Sequence, residues 1–76
     1  MADFDETLDA SGLNCPLPIL RTKKALAGME SGKVLQVIAT DPGSVKDFEA
    51  FARQTGNALL ESTSDAGRFV YLIRKS

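Results

Sequence analysis

Val34-Leu35-Gln36-Val37-Ile38-Ala39, running directly into Thr40-Asp41-Pro42, is the stretch that decides the fold. Its first part is nearly continuous in apolar and β-branched residues, the composition of a central strand buried on both faces. Its second part announces a helix. Asp41 is suited to cap it, and Pro42 suits the first helical position, where a missing N–H leaves no partner wanting.

Working outward, Val45, Phe48, Ala52 and Thr55 recur at helical spacing and form an inward stripe, with Gly56 as carboxyl cap. Ser44 and Asp47 have the spacing of a capping box, with Asp in place of the usual Glu or Gln, so Asp41, Pro42 and Asp47 read as helix-start residues. Two further strands, 58–63 and 68–74, flank the turn-like Ser64-Asp65-Ala66-Gly67 and pair antiparallel. Upstream, Phe4, Leu8 and Ala10 share one face of a first strand that Ser11-Gly12 ends. Ile19, Thr22, Leu26 and Met29 then mark a helix, with Gly32 as its stop. The order is βαβαββ. With right-handed crossovers both helices lie on one face of a four-stranded sheet, giving an α+β two-layer sandwich whose other face is open to solvent. Residues 1–76 contain no internal repeat, low-complexity tract or linker, and read as a single domain.

A chain of 76 residues with 43% hydrophobic side chains folds, but around a modest core. A buried ligand cavity of about 300–1,000 Å³ would consume much of that interior, so chemistry is expected at the surface or inside a partner's site. The net charge of −1 and pI near 5.2 supply no general attraction to phosphate, which argues against direct nucleic-acid binding. The acidic start, Met1-Ala2-Asp3-Phe4-Asp5-Glu6, lacks the features of a secretory signal, and no run approaches the ~18 apolar residues of a membrane span. A soluble cytoplasmic protein is expected, in a compartment that keeps thiols reduced.

Histidine is absent and Cys15 is the sole cysteine. A Cys-His nucleophilic pair, a CxxC redox couple and a closed zinc site are therefore excluded, and neither metal nor cofactor is expected. Cys15 lies in Leu13-Asn14-Cys15-Pro16-Leu17-Pro18. Pro16 biases the residue before it away from the α region, which makes Cys15 the expected N-cap and Pro16 the first helical residue. A helix start favours the thiolate, the nucleophile in sulfur exchange. Pro16 and Pro18 remove two donors from that helix start, so moderate activation of the thiol is expected. Both prolines also stiffen the loop. A free cysteine is most often a small hydrophobe in the core, but its place between a glycine turn and two prolines argues for the surface. Thiol exchange remains: Cys15 attacks a sulfane sulfur, carries it as a persulfide and yields it to another thiol.

On the exposed side of the first helix Leu17, Leu20, Arg21 and Lys24 lie together, with Lys23 to one side. The cations alone are an ordinary solvated face, whereas the two leucines beside Cys15 suggest a partner surface. Phe69, Tyr71 and Ile73 alternate on the last strand and read as sheet packing, with Arg68, Arg74 and Lys75 the one basic cluster near them.

These residues carry a resemblance. Asp9-Ala10-Ser11-Gly12-Leu13-Asn14-Cys15-Pro16-Leu17-Pro18, Gly32 before the buried strand, Thr40-Asp41-Pro42 with Asp47, and a Tyr71 strand ending Ile73-Arg74-Lys75 resemble the TusA/SirA-like sulfur-carrier family along nearly the whole chain. The resemblance implies a mixed sheet in the order 1-2-4-3. It implies that Cys15 carries the persulfide, with Gly12, Pro16, Pro18 and Asp41 as motif and positioning residues. It also implies a carrier, a monomer when free, that receives sulfur from a cysteine desulfurase or a rhodanese and delivers it to a DsrE/TusD-type acceptor. In relatives the sulfur serves tRNA 2-thiolation, molybdenum-cofactor synthesis or cytoplasmic sulfur oxidation. Many relatives have an acidic or polar residue where this chain has Leu17. The alternative is a non-catalytic RNA- or protein-binding regulatory module with an incidental cysteine, since the carboxyl-terminal domain of a bacterial initiation factor has a similar element order.

Overall fold

A computed structural model describes residues 4–76. Met1, Ala2 and Asp3, read above as part of an acidic terminus, lie outside the described residues. The elements are β1 (Glu6–Ala10), α1 (Leu17–Ala27), β2 (Val34–Ala39), α2 (Ser44–Thr55), β3 (Ala58–Asp65) and β4 (Arg68–Arg74). They form one sheet in the order β1-β2-β4-β3. β1 runs parallel to β2, while β4 is antiparallel to both β2 and β3.

Alternation along β2 and β4 builds the core. Leu35, Val37 and Ala39 of β2, with Tyr71 and Ile73 of β4 and Ala10 of β1, are all buried and meet Leu26 and Met29 at α1 and Phe48 and Phe51 on α2. Each large apolar side chain fully removed from water contributes roughly 1.5–3 kcal/mol. Both helices thus cover the same face. β2 alternates buried and half-buried rather than being buried on both faces as its composition suggested, because no second layer covers Val34, Gln36 and Ile38. Leu72 is the one buried β4 side chain of the opposite parity.

Local endings differ from expectation for identifiable reasons. β1 starts at Glu6, and Phe4 is 44% exposed rather than sharing a face with Leu8 and Ala10. α1 ends at Ala27, where the Gly28 N–H turns back to the Ala25 carbonyl and the Met29 N–H to the Leu26 carbonyl. Gly32 is not the helix stop. Its φ of +89° shapes the entry to β2, and its N–H donates to the Lys75 carbonyl at 2.8 Å. β3 continues to Asp65, since the turn is only Ala66-Gly67, both with positive φ as a two-residue hairpin requires. A register shift between Leu59 and Glu61 marks a bulge in edge strand β3, and Leu60 there is exposed. No helix of the described residues is long and apolar enough to cross a membrane.

Candidate functional site

Because β1 and β2 are parallel neighbours, with Ala10 opposite Ala39, the chain leaves both strands at the same edge of the sheet. The two outgoing loops, from Ser11 and from Thr40, start side by side at the carboxyl ends of parallel strands, where open α/β sheets build their sites. Two hydrogen bonds tie the loops together. The Gly12 N–H donates to Thr40 Oγ1 at 2.9 Å, and the Cys15 N–H donates to Asp41 Oδ2 at 3.1 Å. Gly12 has φ +80°, a conformation glycine adopts without the steric strain of a side chain. Asp41 Oδ1 also accepts from the Gly43 N–H, so one carboxylate organises the start of α2 and the backbone of Cys15.

Neither helix begins where its sequence suggested. The Leu20 N–H donates to the Pro16 carbonyl, making Pro16 the N-cap of α1, with no side-chain cap. Cys15 therefore lies one residue outside the helix, and Pro18 takes the helix-start role expected of Pro16, its missing N–H falling on one of the donors a first turn leaves free. The Cys15–Pro16 peptide is cis. At α2 the N-cap is Gly43, not Asp41, because the chain makes one more turn in which the Ser44 N–H donates to the Asp41 carbonyl. The Ser44–Asp47 capping box does not form. Ser44 is buried, its hydroxyl 2.6 Å from Tyr71 Oη, and Tyr71 stacks on Phe48 with ring centroids 4.3 Å apart. That contact locks the first turn of α2 onto the sheet, which leaves Asp47 to face elsewhere.

Asp47 faces Cys15. Both residues line one cleft, and interaction with the Asp47 carboxylate, followed by partial loss of solvent and by the charges of Asp47 and Asp41, raises the Cys15 pKa above the ordinary thiol value. The moderate activation expected from the helix start is overturned, because each of these influences stabilises the neutral thiol over the anion. Cys15 is nevertheless exposed and free. It opens onto a shallow cleft of about 210 Å³ between the helices, with Pro16 and Ile19 on one side and Asp47, Phe51 and Gln54 on the other.

Leu17 and Leu20 are 43% and 54% exposed, and Arg21, Lys23 and Lys24 are exposed on the same helix. The apolar and basic residues read from the sequence are thus exposed on α1, the helix that follows the thiol. Gly12, Cys15, Pro16 and Asp41 come together at the tip. Pro18 turns inward and is buried, its carbonyl accepting from Thr22 Oγ1 at 2.8 Å. The residue missed as a partner of the thiol is Asp47. Its signal was a second stripe on α2, in which Asp47, Phe51 and Gln54 are spaced four and three apart and share a face.

The family described as Sulfurtransferase TusA matches residues 6–75. The chain belongs to the TusA family. Within that family, it is 72% identical over 76 residues to the sulfur carrier protein TusA of Allochromatium vinosum, covering all of both chains. It is 58% identical over 69 residues to a putative sulfur carrier protein of Neisseria meningitidis, covering 91% of this chain and 93% of the relative. Among solved structures, the SirA-like protein of Desulfitobacterium hafniense superimposes with a TM-score of 0.81 at 33% identity, covering 92% of this chain and 96% of the other. This TusA-family fold is the α+β sandwich with sheet order 1-2-4-3 that the sequence resemblance implied.

Proposed function

We propose that the protein is a sulfur carrier that accepts sulfane sulfur as a persulfide on Cys15 and relays it to an acceptor protein. The observation that carries this reading is an exposed, solitary thiol on a tip whose backbone is tied to the neighbouring loop, in a chain matched by the TusA family over residues 6–75. In loading, Cys15 Sγ bonds to the terminal sulfur of a donor persulfide while the donor's own S–S bond breaks. The electron pair leaves with the donor sulfur, which takes up the proton lost from Cys15, and no external oxidant is needed. Unloading is the same exchange with the roles reversed. The chain has no histidine to act as acid or base, so the protein is a stoichiometric shuttle between enzymes. A cysteine desulfurase or rhodanese fits as donor and a DsrE/TusD-type protein as acceptor. The destination is tRNA 2-thiolation, cofactor biosynthesis or sulfur oxidation, in a cytoplasm that keeps the thiol reduced. Leu17, Leu20, Arg21 and Lys24 are the surface on which a partner docks.

Incubation with a persulfide donor should raise the intact mass by one sulfur atom, and Cys15→Ser should abolish the gain. A serine variant that still acquires sulfur sinks the reading.

A further inference from the structure

Two carboxylates sit at Cys15: Asp47 of α2 lines the same cleft, and Asp41 of the β2–α2 loop accepts from the Cys15 N–H at 3.1 Å; both favour the neutral thiol. On the α1 side the cleft offers only Pro16 and Ile19, and no lysine or arginine lines it among the described residues. The empty and loaded carriers therefore differ in what these carboxylates face. The empty tip presents a neutral thiol in the same cleft as Asp47. A persulfide ionises more readily than the thiol it replaces, so the loaded tip presents an anion to the same two carboxylates.

We propose that Asp47, backed by Asp41, makes Cys15 a weak holder of sulfur and so drives the loaded carrier to give its sulfur away. This rests on the carrier reading above and adds a residue that sets the direction of transfer. Loading from an ionised donor persulfide turns donor–S–S⁻ and Cys15–SH into donor–SH and Cys15–S–S⁻. One S–S bond forms, one breaks, and the thiol proton moves to the donor sulfur. The reaction also moves one negative charge from the donor to the tip, where Asp47 gains a like-charged neighbour in the same cleft. That change favours the empty carrier. A tip built to store sulfur would instead place a cation in the cleft.

The test equilibrates wild type, Asp47→Asn and Asp47→Glu with 2-mercaptoethanol and its hydropersulfide at fixed ratio near neutral pH, reading loaded and empty protein by intact mass. Asp47→Asn should raise the loaded-to-empty ratio about fivefold, the size expected from removing one like charge a few ångströms away in a water-like dielectric. Asp47→Glu should stay with wild type. Added salt should raise the wild-type ratio and close the gap to Asp47→Asn. An Asp47→Asn ratio equal to or below wild type, or a wild-type ratio indifferent to salt, overturns the proposal. Wild type that takes up no sulfur at any donor ratio, or Cys15→Ser that does, overturns the carrier reading instead.

Discussion

Two helices flank Cys15 and pull its proton in opposite directions. α1 starts with Pro16 and Pro18, has no side-chain cap and carries no acidic residue in its first turn. Its dipole favours a thiolate, but with few free N–H groups to deliver the effect. α2 starts one loop away, is anchored to the sheet through Ser44 and Tyr71, and brings Asp47 to the thiol. The second helix wins. A carboxylate in the same cleft outweighs a diffuse helix-end field, so the chemistry of this cysteine is set by a neighbour 32 positions along the chain (47 − 15).

The sharpest way to break the contrast is to free α2. Tyr71→Ala removes the stacked ring and the buried partner of Ser44, and should cost about 3–5 kcal/mol; chemical denaturation measures it, and a loss under 1 kcal/mol would mean the anchoring argument is wrong. Asp41→Ala comes next. It leaves α2 seated but releases the N–H groups of Cys15 and Gly43, for about 1–2 kcal/mol, with faster amide hydrogen exchange at Cys15 as the local signature. Unchanged exchange would show that the tether does not hold the tip. The smallest effect sharpens the comparison without any mutation. Since the folded thiol titrates above its unfolded value, the stability it contributes is fully present below the ordinary thiol pKa and fades as pH rises through the raised one. Alkylation of the folded protein by iodoacetamide near neutral pH should accordingly be slower than that of a short peptide spanning Asn14–Leu17, with its rate midpoint at higher pH. Faster alkylation with an earlier midpoint would hand the contest to α1.

Much of this architecture was legible because period and punctuation agree in the sequence. The spans of β2 and β4 and the Gly56 cap are local patterns that packing kept, whereas the α2 stripe holds in Val45, Phe48 and Ala52 but leaves Thr55 exposed and buries Phe51 in its place. The exposed Leu17 and Leu20 were legible too, as apolar residues off the buried stripe. The helix starts were not, since a proline satisfies the first or the second helical position equally well and the choice between Pro16 and Pro18 is made by the turn that brings the Leu17 N–H to the Asn14 carbonyl. Likewise Ser44 has the right spacing to cap, but a buried tyrosine hydroxyl from β4 claims it. The Asp47–Cys15 contact depends on how α1 and α2 lie against each other, a tertiary fact that no window of sequence contains.

The sulfur projects from a single corner where both helices begin, with Leu17 and Leu20 exposed beside it. A protein large enough to reach it covers those leucines and the mouth of the cleft at once. On the carrier reading proposed above, supplier and recipient then queue for one berth, and an excess of either ties up the shuttle instead of quickening it.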